Sequence, residues 1–443
     1  MNSKFGFFPS TIEDLLPRGA KRVEHAILKI LLASETESQN IILCNQVPKS
    51  RPLSFYSKPL ENWLDNNPLH CPPKSRFLKY LPQIKRFARG ITPPVILPVL
   101  KSSFNFARTF AGKLKNLIKL NRSAKLPDQS QETDTILALQ ELDALISFDP
   151  FNKLWSFPVE NFKTVSFGWF YDAIPKRINE GENWQPDFFD NEISKFALRA
   201  NHIFCDSKSA QEDLHYFFPA SLGKSSVLHL GHDIERFQKR VSFEESTQML
   251  LSFSIDPNIP YFIFVGSVEP RKNIAGLLLA AQKLKLINPL LPFQLILVGQ
   301  IAGQKEIQSL IKQTNTLLPV HALNYLPDDL IPALMNRSES FVFPSKWEGF
   351  GIPILEAMTA ETLVITSNLS SMPEVAEEHA LYCDPYDHTS IAMQMARCLE
   401  MPAEERLQRL RAAKLHASKF TWKQTTDKML EKINQILREK NQV

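Results

Sequence analysis

Glycine is scarce in this 443-residue chain, where 14 glycines stand against 31 prolines; average usage would supply about 30. Each glycine retained is therefore expected to answer a local backbone demand. Cysteine is scarce too. The five present, Cys44, Cys71, Cys205, Cys383 and Cys398, are odd in number, scattered and never spaced C-x-x-C. That excludes a disulfide-stapled miniprotein, argues against a cysteine zinc site and suggests a reducing compartment. Long apolar runs are missing as well: nothing approaches the ~18 residues of a membrane span. The opening MNSKFGFFPSTIEDLLPRG has acids and prolines where a signal peptide would be apolar. A cytoplasmic protein is expected.

Acidic residues are absent between Asp65 and Asp128, a segment carrying thirteen Lys and Arg. The net charge is only +4, so the remainder of the chain is net acidic. A localised patch of this kind points to an anionic surface or ligand, because a general nucleic-acid binder is basic more widely and no nucleic-acid-binding motif accompanies it. Within the patch, KSSFNFARTFAGKLKNLIKL reads as an amphipathic helix, with Phe104, Phe106, Phe110, Leu114, Leu117 and Ile118 set among Lys101, Arg108, Lys113, Lys115 and Lys119. Residues 74–125 would then meet an anionic membrane surface, placing the protein peripherally at the inner face of the membrane. Two other readings stand beside it: a core-facing helix with a solvated basic face, and a basic cleft for an anionic soluble acceptor.

What the chain has in abundance is alternation. From residue 261 onward YFIFVG, QLILVGQ, VHALNYL, SFVFPS and LVITSN read as strands. Between them NIAGLLLAAQKLKL, KEIQSLIKQTN, DDLIPALMNR and PILEAMTA have helical periodicity. The first half repeats the style with the helix KRVEHAILKILLA, the strands NIILCNQV and LDALISFD, and KTVSFGWFYDAIP as a strand leading into a polar turn. DNEISKFALRA then reads as a helix, HIFCDS as a strand, KSAQEDLHYFF as a helix and SVLHLG as a strand, while QSQETD reads as a surface loop. Such alternation indicates α/β architecture with doubly wound parallel sheets, whose ligands sit beyond the carboxyl ends of the strands. Two Rossmann-like domains are expected over residues 1–235 and 236–420, with 421–443 a C-terminal helix packing back toward the first. The join falls between Gly231 and Pro257, in a polar stretch of weak periodicity; His232 there reads as a linker residue.

Two clusters carry candidate chemistry. PSKWEGFGIPILEAM places Glu348 in a loop with Gly349 and Gly351, and Glu356 one turn into a helix that Pro353 can start. A helix N-terminus there suits anions, and a carboxylate one turn further in suits hydroxyls. FVGSVEPRKN ends a strand at Gly266 and opens the next helix with Arg271 and Lys272, two cations able to neutralise a diphosphate. Either cluster alone is equally well a solvated set of surface charges; their recurrence on alternating strand ends argues against that.

The residues from Tyr261 to Trp422 resemble the donor-binding domain of retaining glycosyltransferases of family 4 (glycosyltransferase group 1), which have the two-domain GT-B fold. The resemblance rests on FVGSVEPRKN, LILVGQ, YLPDDLIPALMNRSESFVFPSKWEGFGIPILEAM, PEVAEEHALYCDP and KFTWKQTTDKM. In the first half it rests more thinly on FYDAIPKR, HIFCDSKSAQEDL and SVLHLGHDIERF. It implies that Arg271 and Lys272 hold and stabilise the leaving nucleotide diphosphate, that Glu348 hydrogen-bonds the donor sugar, and that the Phe350 and Gly351 backbone helps place its hydroxyls. Glu356 would accept from the ribose, Tyr325 and Leu326 would flank the base, and Gly266 and Gly299 would line the donor site at strand ends. Gly19 would face the diphosphate from the first domain, and Asp172 would stand in the acceptor cleft. Many members have histidine before that aspartate, where this chain has Tyr171, and a second glycine beside the equivalent of Gly19.

The implied activity is metal-independent, retaining hexosyl transfer. The donor is a nucleotide-diphosphate sugar, with GDP-mannose favoured, and the acceptor is a glycan or lipid-linked molecule in polysaccharide assembly. No cofactor is implied beyond that donor substrate, no metal site and no nucleic-acid partner. The alternatives are a catalytically silent GT-B scaffold that binds a sugar nucleotide, and a GT-B enzyme of another reaction type, such as a nucleotide-sugar epimerase or a phosphorylase.

Overall fold

The computed structural model describes residues 142–156, 159, 163–178, 186–324 and 326–442, together with residues 5–8, 22, 23, 26–28, 30, 31, 41–43, 51 and 52 nearer the N-terminus. The basic segment 74–125, the QSQETD stretch, Gly19 and Tyr325 lie outside the described residues.

Two sheets organise the chain. The first has seven strands in the order β3-β2-β1-β4-β5-β6-β7: β1 Phe5–Phe8, β2 Ile41–Leu43, β3 Arg51–Pro52, β4 Ala144–Ser147, β5 Val165–Phe170, β6 His202–Cys205 and β7 Ser225–Val227. Every pairing in it is parallel except β2 with β3. The second has six strands in the order β10-β9-β8-β11-β12-β13: β8 Tyr261–Val265, β9 Gln294–Val298, β10 Val320–Leu323, β11 Ser340–Phe343, β12 Val364–Ser367 and β13 Leu381–Cys383. All its pairings are parallel. Renumbered within itself, the second sheet reads 3-2-1-4-5-6, so its strand order reverses between β8 and β11. A crevice opens at such a switch point, beyond the strands' carboxyl ends.

Strand β5 shows how the first sheet is covered on both faces. Val165, Phe167 and Trp169 join one buried apolar cluster with the helical residues Val23, Ile27, Leu28 and Leu31. Phe170 joins another with Phe189, Ile193 and Phe196 of the helix Pro186–Arg199. The period of two along the strand sends alternate side chains to opposite faces. Gly168 lies on the second face, where a Cβ would stand 2.0 Å from the Phe196 ring; the ring occupies the space that the missing side chain leaves. The first cluster continues through Leu228, Leu230 and Phe237 into the second sheet, so the two sheets share apolar packing at the join.

The join is more ordered than its polar sequence suggests. It holds two helices, Ile234–Phe237 and Phe243–Ser252. Ser242 caps the latter in a capping box: its hydroxyl accepts from Glu245 N–H at 3.1 Å, and Glu245 accepts from Ser242 N–H at 2.8 Å. The S-x-x-E spacing was readable, but the apolar periodicity behind it is weak. The expected polar turn after β5 likewise contains a short helix, Ile174–Arg177. After the second sheet the chain returns to the first: in the helix Trp422–Asn441, Thr425 Oγ1 donates to the His229 carbonyl at 2.9 Å and Lys440 Nζ to the Lys163 carbonyl at 3.0 Å.

Two glycines at neighbouring strand ends carry a packing demand of unequal strength. A Cβ on Gly299 would meet the Gly266 carbonyl oxygen at 2.0 Å, whereas one on Gly266 would meet only the Phe264 ring, at 3.3 Å. Backbone cannot swing aside as a ring edge can. Gly299→Ala is therefore expected to cost ~1–3 kcal/mol through local overpacking, and Gly266→Ala clearly less, measured by urea denaturation; equal losses would contradict this account.

Candidate functional site

The segment between β8 and the helix Ile274–Ile287 makes a single 3-10 turn, Pro270–Lys272, and then enters the helix through Asn273. Asn273 has φ 57° and ψ 40°, a left-handed conformation that asparagine tolerates better than most residues. Its Oδ1 accepts from Gly276 N–H at 3.3 Å, while its Nδ2 donates to the carbonyls of Pro344 at 3.2 Å and Pro385 at 2.6 Å. One buried amide thus ties the carboxyl end of β8 to the loops after β11 and β13. A backbone bond from Lys346 N–H to the Arg271 carbonyl, 2.7 Å, fastens the segment after β8 to the loop after β11 a second time.

Against this frame Glu348 meets both cations. Its Oε2 accepts from Arg271 Nη1 at 2.7 Å and its Oε1 from Lys272 Nζ at 2.5 Å. Arg271 Nε also donates to Glu269 at 2.8 Å, and Lys272 Nζ lies 4.6 Å from the centroid of the Phe343 ring. Glu348 is 7% exposed. Burial opposes its charge, but the adjoining Arg271 and Lys272 overcome that and hold its pKa down at about 2. It stays ionised at any working pH and can only accept hydrogen bonds.

The loop continues through Phe350 and Gly351 into the helix Ile352–Thr359. Gly351 stands before the helix with φ 110°, a conformation that strains any residue with a Cβ. Ser371 Oγ donates to the carbonyls of Glu348 at 3.0 Å and Phe350 at 2.8 Å, and Ser370 Oγ to that of Glu348 at 2.6 Å. Glu356, also buried, accepts from Arg22 Nη2 of the first domain at 2.5 Å. Burial pushes its carboxyl up, yet Arg22 holds it below the usual glutamate range. Gly266, Gly299 and buried Leu326 complete the carboxyl edge beyond β8, β9 and β10.

The first domain closes onto this edge. Asp172 follows β5, with Oδ1 accepting from Ile174 N–H at 3.0 Å. Burial raises its pKa, against the attraction of Arg271. A Cβ on Gly349 would lie 2.5 Å from the Tyr171 carbonyl and 3.2 Å from Asp172 Cβ, so glycine there permits the approach of the two loops. Tyr171 donates its hydroxyl to the Phe148 carbonyl at 2.9 Å, joining the ends of β4 and β5. Of the residues singled out from sequence, Arg271 and Lys272 meet Glu348, Asp172 lies against Gly349, Phe350, Gly351 and Glu356 continue the Glu348 loop into its helix, and Gly266, Gly299 and Leu326 follow neighbouring strands; Gly19 and Tyr325 lie outside the described residues.

Sequence reasoning missed the cross-domain partners. Ser207 Oγ donates to the Gly349 carbonyl at 2.6 Å, and Trp347 Nε1 to Asp213 at 3.1 Å. Arg177 pairs with Asp213 at 2.6 Å and lies 5.0 Å from the Trp347 ring centroid. Glu374 accepts from Lys208 N–H at 2.8 Å, and His229 Nε2 lies 2.6 Å from it. His232 turns out to be a bolt: its ring bridges the Phe420 carbonyl at 3.0 Å and Thr359 Oγ1 at 2.7 Å. Burial drops its pKa to about 4.

Comparison with known proteins decides the family of the second domain. Residues 252–416 match the family described as glycosyl transferases group 1. The second domain belongs to that family. Its curated relatives include the O-antigen chain mannosyltransferase B of Escherichia coli, 34% identical over 167 residues, which is 38% of this chain and 43% of that one. The serotype-specific mannosyltransferase WbdA of the same organism is 27% identical over 278 residues, 59% of this chain and 33% of that one. The chain thus spans less than half the length of these relatives. Among solved structures, Anabaena Alr3699/HepE in complex with UDP and glucose superposes with a TM-score of 0.62 at 15% identity, over 98% of this chain and all of that one. Sucrose-phosphate synthase from Thermosynechococcus elongatus gives 0.57 at 16% identity, over 72% and 82%. The fold of the chain is GT-B.

The ion pairs of Glu348 tie stability to pH. Its folded pKa of about 2 lies below the ordinary 4.5, so its contribution is complete above the ordinary value and is lost as pH falls through the folded one. Glu348→Gln is expected to cost ~3 kcal/mol near neutrality, the gap to wild type narrowing as the pH falls toward 2. Urea denaturation of both proteins across that range reads it, and a gap independent of pH would contradict the assignment.

Proposed function

We propose that the protein is a retaining, metal-independent glycosyltransferase of family 4. In this reading it moves a hexose, with mannose from GDP-mannose favoured, to a glycan or lipid-linked acceptor in polysaccharide assembly. The observation that carries the reading is the pairing of Arg271 and Lys272 with Glu348 at the switch point between β8 and β11. The diphosphate of the donor exchanges for the carboxylate as partner of the two cations, and Glu348, fixed as an anion, turns to accept from sugar hydroxyls. Glu356, deeper along its helix, accepts from the ribose, and Arg22 beside it orients that carboxylate. The mannosyltransferase names of the bacterial relatives support the sugar and the polysaccharide setting.

The chemistry needs no protein base. As the bond from the sugar's anomeric carbon to the diphosphate oxygen breaks, Arg271 and Lys272 neutralise the departing charge. The acceptor hydroxyl adds to the same face and gives its proton to a phosphate oxygen of the leaving group. Configuration is thereby retained, and protons and charge balance without a metal. Asp172 faces this point from the acceptor side, where burial raises its pKa.

A thermal-shift series with GDP, UDP and their sugars, followed by transfer assays with the donor that stabilises most, tests the proposal. GDP-mannose is expected to give the largest shift. Arg271→Ala and Lys272→Ala should each lower turnover by about 10²–10³-fold while the fold persists. Stabilisation by a sugar nucleotide without any turnover would instead indicate a silent scaffold, and rearrangement of the donor without acceptor would indicate an epimerase.

Residues 74–125 are proposed to hold the protein against an anionic membrane surface, where a lipid-linked acceptor would be met. Flotation with vesicles containing anionic lipid should carry the protein upward at low salt and progressively less as salt screens the attraction. Failure to float at low salt would overturn this part.

A further inference from the structure

Away from the cleft, three side chains converge where the helix Ala403–Ala417 ends against the 3-10 turn Glu377–His379. One ligand atom from each of Glu377, His379 and His416 lies within 4.8 Å of the others. His416 is 2% exposed. Its Nε2 lies 2.8 Å from the Val375 carbonyl, and because a carbonyl only accepts, Nε2 carries the hydrogen. In the neutral ring Nδ1 is then a bare lone pair. It is buried, has no hydrogen-bond partner, and stands 3.5 Å from Glu377 Oε2. The His379 ring is 4.7 Å from the His416 ring, centroid to centroid.

We infer that Glu377, His379 and His416 form a structural site for a divalent transition ion, best suited to Zn²⁺. Two imidazoles and one carboxylate are a donor set that zinc accepts, with water as fourth ligand. Bonds of ~2.0–2.1 Å to a tetrahedral ion separate its ligand atoms by about 3.3 Å. The His416–Glu377 spacing already meets that, and His379 closes the rest by rotation about its side-chain bonds. The Val375 carbonyl is the kind of outer partner that fixes the tautomer and aim of a metal-bound histidine. Glu378, whose Oε1 lies 3.6 Å from His379 Nε2, gives the second ring a carboxylate neighbour. Without an ion, the buried Nδ1 of His416 is an uncompensated acceptor, which costs stability.

The position gives the ion a purpose. It would pin the end of the helix Ala403–Ala417 to the turn that follows the helix Met372–Ala376. That second helix carries Glu374, which receives the backbone N–H groups of Lys208 and Ser209 from the first domain. The His416 ring also lies 5.2 Å from that of Phe420, centroid to centroid, whose carbonyl meets His232. The site therefore braces both sides of the domain join, independently of the reaction assigned to the cleft.

Protein stripped with chelator and titrated with Zn²⁺ by calorimetry should bind one equivalent per chain, with a rise in thermal midpoint. Co²⁺ should give the visible absorption of a four-coordinate nitrogen and oxygen site, and Mg²⁺ should give no shift. His379→Ala and Glu377→Gln alter residues that are not part of the core, so both should fold without zinc; each should weaken binding by at least about tenfold and abolish the thermal gain. Substoichiometric binding, or affinity and thermal gain unchanged in both variants, would overturn the site.

Discussion

The carboxylate of Glu348 is the point on which the loop edge of the second sheet is built. Two cations with adjacent backbone positions repel each other, and Lys272 is nearly fully buried; neither would be stable at the end of β8 without an anion between them. Glu348 supplies it from the loop after β11, so the electrostatic need of one loop fixes the path of the other. The Asn273 amide and the Lys346–Arg271 backbone bond hold the two loops at the spacing that the ion pairs require. The cost of burying three charges is thereby converted into order at the place where the strand order reverses, which is where such sheets bind ligands.

That loop is also the surface on which the first domain rests. Ser207 reaches the Gly349 carbonyl, Trp347 reaches Asp213, and the Tyr171 carbonyl fits where Gly349 has no side chain. The carbonyls on the loop's other side are taken by Ser370 and Ser371. A segment with little regular structure is thus held by side chains from three directions, which accounts for Ser345, Glu348 and Phe350 being buried in a loop.

Much of this was legible in the sequence, for reasons that can be named. The strands of the second sheet are short continuous apolar runs closed by Gly266, Gly299 or Pro344, and the helices between them have clear periodicity, so both the parallel sheet and the side that binds could be read. Arg271, Lys272, Glu348 and Glu356 could be placed because each lies a few residues past a strand end. The partners from the other domain could not. Nothing local in KRVEHAILKILLA marks Arg22 as the residue that will meet Glu356, 334 positions away, and Asp213 and Glu374 look like ordinary helix acids. His232 reads locally as a linker residue, but its ring meets Thr359 and Phe420, 127 and 188 positions away. The grouping of Glu377, His379 and His416 is hidden for the same reason: His416 lies on the helix Ala403–Ala417, far along the chain from the other two.

Charge also explains how the domains find one register. Arg22 of the first domain meets Glu356 of the second, while Asp172 of the first feels the attraction of Arg271 of the second. The two contacts have opposite polarity, so sliding or rotating one domain would bring like charges together at one or both, an arrangement that costs far more than it gains. Glu374 with its His229 and backbone partners adds a third contact from a different face. Asp149, Asp172 and Asp206 follow β4, β5 and β6, each pushed up by burial and each with one oxygen occupied, by the Phe151 N–H, the Ile174 N–H and the Trp169 ring N–H. Of the three, Asp172 lies within the attraction of Arg271, and Gly349 of the facing loop comes up against it. Burial thus works against the charge of all three carboxyls, so the charge fixed where the two domains meet is concentrated in the cluster of Arg271, Lys272 and Glu348.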